Sequence, residues 1–216
     1  MSPALLAPLA LLALQAPVDE GTLVVREDTL VIAREAFRLT AMRAGTGATR
    51  WTLATTVRYD RSRPVVVLDP IVELGPDSNP VSLEYTVADP REPLRILGQL
   101  TRGRFTVRLL GRRTERAREF PAPPPTAVLD DSVFALYLAA AWQGRARATS
   151  VTGVFPRGGR RELLTVQEEP GEGPARHVTI SGGENRLVHV WVGPDGKLTK
   201  VEIPSRRLVA ERFAPP

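Results

Sequence analysis

The chain has 216 residues, 29 of them Lys or Arg against 24 Asp or Glu, giving a formal charge of +5, and it has no cysteine. Without cysteine there are neither disulfides nor thiolate metal centres, so a folded domain must rest on an apolar core, which about 200 residues can build. All but two of the basic residues are arginine, the exceptions being Lys197 and Lys200. With abundant Ala, Pro and Gly, that skew reads as GC-rich coding sequence and not as a nucleic-acid footprint.

The first predicted element is "MSPALLAPLALLALQAP", uncharged until Asp19, with an apolar run from about Ala4 to Leu14. A bilayer span needs about 20 such residues. The run has instead the length of the central part of a secretory signal. The expectation is a leader over residues 1–16 and a periplasmic or secreted mature chain, 17–216, with no transmembrane span.

From residue 22 to residue 120, alternation of apolar and polar residues dominates. In "RWTLATTVRY", Trp51, Leu53, Thr55, Val57 and Tyr59 share one face while Arg50, Thr52, Ala54, Thr56 and Arg58 share the other. This is a strand with one dry side. "VSLEYTVA" repeats the pattern through Leu83 and Tyr85, and "RFTVRL" through Phe105 and Val107. Further strands are expected at 23–26, 30–40, 65–74, 94–99 and 114–120. The separators "AGTGAT", "GPDSNP" and "ADPREP" are turn-formers. Short turns make neighbouring strands antiparallel hairpins, and no helical crossover precedes residue 128.

In "FPAPPPTAVLDD", Pro121 and Pro123 to Pro125 lack an amide donor and favour an extended crossing segment. "VLDDSVFALYLAAAW" then reads as a helix over about 130–142, with Asp130 or Asp131 as N-cap. Its apolar residues cover nearly the whole circumference, so it must be buried on more than one side. After residue 147 strands resume, with turns at "PRGG", Gly183-Glu184 and "GPDGK". The fold class is therefore mainly β: a curved antiparallel meander forming an open or flattened barrel, with one buried apolar helix. A single domain is expected, with strands over 22–120, crossing and helix over 121–143, and strands over 147–213.

An unclosed, curled sheet has a concave apolar face that something must cover. The helix is either a fixed core element or a lid over a lipid-sized cavity. Candidate lining residues are Trp51, Leu53, Val57, Tyr59, Leu83, Tyr85, Phe105 and Val107 from the strands, with Phe134, Tyr137, Leu138 and Trp142 from the helix. From Arg91 to Arg118 nine arginines face only Glu92 and Glu115. Arg95, Arg102, Arg104, Arg108, Arg112, Arg113, Arg116 and Arg118 are a candidate surface for an acidic envelope partner.

The order of signal, curved sheet, Pro-rich crossing, helix and second strand set resembles the unclosed β-barrels of Lol-type bacterial lipoprotein carriers. The ending "HVWVGPDGKLTKVEIPSRRLVAER" is similar to the closing hairpin of several uncharacterised exported bacterial families. Lol-type carriers hold acyl chains in the half-barrel under helical lids. The resemblance thus implies a lipid or other amphiphile as partner, although this chain has one clear helix where those carriers have several.

No enzyme chemistry is expected. His177 and His189 both fall on strands, and His189 shares a face with Leu187 and Trp191, as a packed or interfacial imidazole would. Two histidines without cysteine or a closely spaced acid do not make a zinc site. There is no nucleophile elbow and no phosphate loop, "GTGAT" lacking the trailing Gly-Lys-Ser/Thr. Asp69, placed by alternation on the face of Val65, Val67 and Ile71, could meet Glu73 or Glu84, but Asp69-Pro70 reads as a bend. The expected function is non-enzymatic binding of an apolar or amphiphilic ligand, without metal or cofactor. The alternative is an envelope interaction module that uses its arginines and has no cavity. A carrier requires an enclosed apolar volume of about 300–1,000 Å³, whereas a filled core with surface grooves favours the module.

Overall fold

The computed structural model describes residues 17–213 apart from 44–46, 172 and 184. The predicted leader and the tips of two predicted turns lie outside them. Eight strands precede the proline segment: β1 (Pro17–Glu27), β2 (Leu30–Arg43), β3 (Thr49–Tyr59), β4 (Val66–Leu74), β5 (Pro80–Ala88), β6 (Leu94–Thr101), β7 (Arg104–Gly111) and β8 (Glu115–Pro121). A short β9 (Thr126–Val128) and a five-residue helix α1 (Tyr137–Ala141) come next. The chain ends with β10 (Thr149–Phe155), β11 (Arg160–Glu169), β12 (Arg176–Gly182), β13 (Arg186–Val192), β14 (Leu198–Ile203) and β15 (Leu208–Arg212).

All fifteen strands form one sheet in the order β8 through β1, then β15 through β9. Two meanders are thus fused in the middle, where β1 pairs antiparallel with β15 from Leu23 opposite Arg212 to Glu27 opposite Leu208. Every pairing is antiparallel except that of β9 with β10. The parallel pair departs from the all-antiparallel expectation: the proline run delivers the chain to β10 from the far edge of the sheet, in the same direction as β10.

That delivery fixes the curvature. The two edge strands, β8 and β9, are separated by only Ala122–Pro125, and five extended residue steps reach at most about 18 Å. A flat sheet of fifteen strands would hold its edges far further apart at about 4.8 Å per strand. The sheet therefore curls until its ends nearly meet, and side chains span the seam: Arg118 Nη1 donates to the Gly159 carbonyl at 2.9 Å. The result is an open barrel, as the alternation predicts.

Burial obeys the alternation. Ala33, Phe37 and Leu39 on β2, Leu53 and Val57 on β3, and Leu83 and Tyr85 on β5 all face the interior. Gly98 on β6 leaves room for the ring of Phe105, which a Cβ there would approach to 2.7 Å. On β4 Asp69 does share a face with Val67 and Ile71, and that face is the outer one. On β4, Leu68, Pro70, Val72 and Leu74 point inward, while Asp69 and Ile71 point outward, Ile71 being 42 % exposed. Both faces of this strand carry aliphatic residues, and the one that also carries Asp69 and Glu73 goes to water.

Candidate functional site

The interior is filled by the chain's own segment from Ala127 to Ala141, in which every residue except Asp131 and Ser132 is buried. The predicted helix shortens to Tyr137–Ala141, and Asp130 is not its N-cap: Leu136 occupies that position and makes no side-chain cap bond. The preceding turn is held from outside instead. Glu35, on the inward face of β2, accepts from the amides of Phe134 and Ala135, each at 2.8 Å, and from the Thr55 hydroxyl at 2.8 Å. These amides would otherwise be orphaned in the core. A carboxylate reaching across from another strand thus does the capping.

A second anchor lies one turn earlier. Asp130, whose side chain is 4 % exposed, receives Arg157 at 2.6 Å and the Tyr85 hydroxyl at 3.1 Å, and caps the Ser132 amide at 2.8 Å. Asp131 binds Arg160 and Arg186, and both arginines also bind Glu162. Arg206 donates to the Asp131 carbonyl, and Tyr59 to that of Ser132. Arg160 and Arg186 also lie over the Phe155 ring, at 4.1 and 4.6 Å. The acidic pair predicted as a helix cap is thus the clamp of the plug.

The electrostatics differ between the two anchors. Burial pushes the Glu35 carboxyl up to about 7, with the Ala135 and Phe134 amides and Thr55 only partly offsetting it. Burial also raises Asp131 and Glu162, but hydrogen bonds and charge from Arg186 and Arg160 more than reverse this and hold both below their ordinary values. The folded chain therefore holds the Glu35 proton more tightly than the unfolded chain does. The stability contributed by this proton is complete below pH 4.5 and is lost as pH rises to about 7, a difference of about 3 kcal/mol. Asp131 and Glu162 act in the opposite sense, their contribution disappearing as pH falls below about 4. His177, lowered by burial and by His189, also loses stability as pH falls through its range. The expected outcome is a Glu35→Gln variant whose stability relative to the parent rises between pH 5 and 8. Denaturant titrations across that range measure it, and parallel profiles for the two chains would remove Glu35 as the cause.

The twelve predicted lining residues do converge. Leu53, Val57, Leu83, Tyr85, Phe105, Val107, Phe134, Tyr137 and Leu138 are buried in one cluster, with Trp51, Tyr59 and Trp142 packed at its margin. They pack on one another, and the helix residues fill the concavity that the strand residues form. Trp51 and Trp142 meet at the rim with ring centroids 5.3 Å apart.

The eight predicted arginines do not form one surface. Arg95, Arg104 and Arg108 point outward and are paired with Glu84, Glu119 and Glu115. Arg116 and Arg118 stand opposite the inward Leu109 and Val107, on the inner side of the open edge. Arg102, Arg112 and Arg113 lie in turns. Ion pairing across neighbouring strands is hidden from a count along the sequence, because Glu84 and Glu119 lie outside the stretch from Arg91 to Arg118.

A ligand-sized recess does exist, on the outer face. An open groove of about 660 Å³ crosses β1 to β4, floored by Thr22, Ala36, Ala54 and Thr56 and rimmed by Glu20, Arg38, Asp69 and Ile71. Its β3–β4 part lies where the ladder is broken beside Pro70. β3 and β4 pair at Ala54 with Ile71 and at Val57 with Leu68, but Thr55 and Thr56 have no partners on β4. Proline has no amide to donate, so the ladder is interrupted there, with the same register on either side. The bend expected at Asp69-Pro70 is not seen: both residues stay within β4, and only the hydrogen-bond ladder is broken. The other two acids of that group are engaged elsewhere: Glu73 accepts from Ser82 and Glu84 pairs with Arg95.

The fold defines an unclosed, barrel-like antiparallel β protein. No family model matches the chain, and no curated protein matches it. Among solved structures it is similar to the crystal structure of a beta-barrel-like protein of domain of unknown function DUF1849 from Brucella abortus. The two share 12 % sequence identity over 90 % of this chain and 93 % of that one, with a TM-score of 0.46. Among the described residues no helix is long and apolar enough to cross a membrane.

Proposed function

We propose that this protein is an exported, non-enzymatic binding module of the cell envelope that takes an extended amphiphile in the outer groove over β1 to β4. The observation that carries the reading is the groove itself. It is open, unlike the enclosed cavity a carrier requires, but at about 660 Å³ it is large enough to seat a ligand, while the interior is occupied by the chain's own segment. A floor of small side chains, two alanines and two threonines, leaves room for an alkyl chain. The Arg38 and Glu20 pair and Asp69 at the rim suit a polar headgroup.

A second reading has one observation in its favour. The polar side-chain anchors of the plug lie between Asp130 and Tyr137, and from Leu138 to Ala141 there is none among the described residues. That part is held by apolar packing, which an acyl chain could replace, making α1 a lid over the predicted cavity.

The test is native mass spectrometry of the mature protein taken from its own envelope, with lipid extraction of whatever accompanies it. A stoichiometric amphiphile lost in Ala54→Trp, with Trp51 and Trp142 fluorescence unchanged on binding, is the expected result. Uptake that survives Ala54→Trp and alters the fluorescence of the Trp pair overturns the groove in favour of the lid. A clean apo mass with no uptake on titration overturns both and leaves the interaction module. Among the described residues, its cations without an ion pair or side-chain hydrogen bond include Arg102, Arg113 and Arg116.

A further inference from the structure

On the outer face of the strands against whose inner face α1 packs, the only two histidines of the chain stand together. His177 on β12 and His189 on β13 are half-buried on the outer face, with His177 Nε2 and His189 Nδ1 3.0 Å apart. The expectation of a packed imidazole is met only in part: the partner of His177 is the Trp191 ring, stacked at 4.7 Å and 6° from parallel, and beyond both lies solvent. Strand register brings them together. His177 is opposite Trp191 and Thr179 is opposite His189, so two residues twelve apart in sequence become diagonal neighbours on one face.

We propose that His177 and His189 form a chelating site for a divalent transition-metal ion, Cu²⁺ above all. The spacing permits chelation. With metal–nitrogen bonds of about 2.0–2.1 Å, ligands at right angles stand about 2.9 Å apart and ligands at the tetrahedral angle about 3.3 Å apart. A separation of 3.0 Å, set in the ion-free pair by the hydrogen bond between the rings, lies close to both, so an ion can replace the shared proton with little movement of the strands. Cu²⁺ heads the affinity order for nitrogen ligands.

The chemistry balances without loss of a proton. In the ion-free pair one ring donates its N–H to the lone pair of the other. To present both lone pairs, His177 carries its proton on Nδ1 and His189 on Nε2, which requires a change of tautomer only in the ring that donates in the ion-free pair, both rings staying neutral. Water completes the coordination.

The surrounding field favours a cation. Glu169 on β11 lies opposite His177, and Glu202 on β14 lies opposite His189. Against them stands Lys200, which pairs with Glu202 at 2.7 Å and rests over the Trp191 ring at 4.5 Å. Two carboxylates against one ammonium leave the patch negative. The desolvation and mutual repulsion that lower the His177 pKa also keep it neutral near pH 7, as a ligand must be.

The test uses the full mature chain, produced without any affinity histidines and titrated with Cu²⁺ alone. The expected result is one ion per chain, an electron paramagnetic resonance spectrum with coupling to two nitrogens, and quenching of Trp191. Outer-shell partners alone are worth about ten- to hundred-fold in metal affinity, so His177→Gln or His189→Gln should weaken binding by more than about ten-fold. Trp191→Phe should keep the resonance spectrum and lose the quenching. Thermal unfolding of each variant confirms an intact fold, which these half-exposed positions allow. Absence of stoichiometric binding, or binding of equal strength and spectrum in the double glutamine variant, overturns the proposal.

Discussion

Replacing Glu35 with alanine is expected to destabilise the folded chain by about 2–4 kcal/mol, as much as a large core truncation. Two buried amides, those of Phe134 and Ala135, lose their acceptor, and each unsatisfied group costs about 1–3 kcal/mol. Relief of the carboxylate's own burial penalty returns part of this. Thr55 retains the Ala36 carbonyl as a partner at 3.1 Å and adds little. The decisive comparison is Glu35→Leu, which refills the volume but leaves the same amides orphaned, because they belong to the backbone and cannot be removed with the side chain. Leucine should therefore fail to rescue, and glutamine, which keeps an acceptor, should recover at least part of the loss. Denaturant unfolding of the three variants decides it. If Glu35→Leu matched the parent, the anchoring role assigned to the carboxylate would be wrong.

The second large effect belongs to Arg157, and it is asymmetric. Arg157→Ala leaves the Asp130 carboxylate, 4 % exposed, without its cation, and breaking a buried pair from that side costs about 3–5 kcal/mol. Tyr85 and the Ser132 amide remain as donors and should place the loss near the lower bound. Asp130→Asn does the opposite: it leaves behind Arg157, whose side chain is 35 % exposed and can turn to water. The loss there should be about 1–2 kcal/mol, since the charge that remains is hydrated and the Ser132 cap can be kept. Equal losses for the two variants would mean that the pair acts through packing and not through charge.

Both anchors show what is hidden in the sequence. "IAREAFRL" carries a glutamate on the face of Ala33, Phe37 and Leu39, so an acid on the dry side of a strand is legible as an anomaly. Its partners, 99 and 100 residues further along, are not. Asp130 and Asp131 read as a cap because capping is a local rule that needs only the next few residues. The structure uses them instead against arginines of β11, β13 and the turn after β10. The same limit applies to the arginine stretch, whose neutralising glutamates come from adjacent strands.

What the sequence determined by itself is the strand pattern, the open-barrel class, the break at the prolines and the burial of the segment after them. These arise from period-two alternation, turn chemistry and apolar content, all of which act over a few residues. Three things only the tertiary structure decided: the filling of the interior, the outer groove over β1 to β4, and the meeting of His177 with His189. Each depends on register between strands. Register places a residue beside one on another strand, which neighbours in the chain cannot specify.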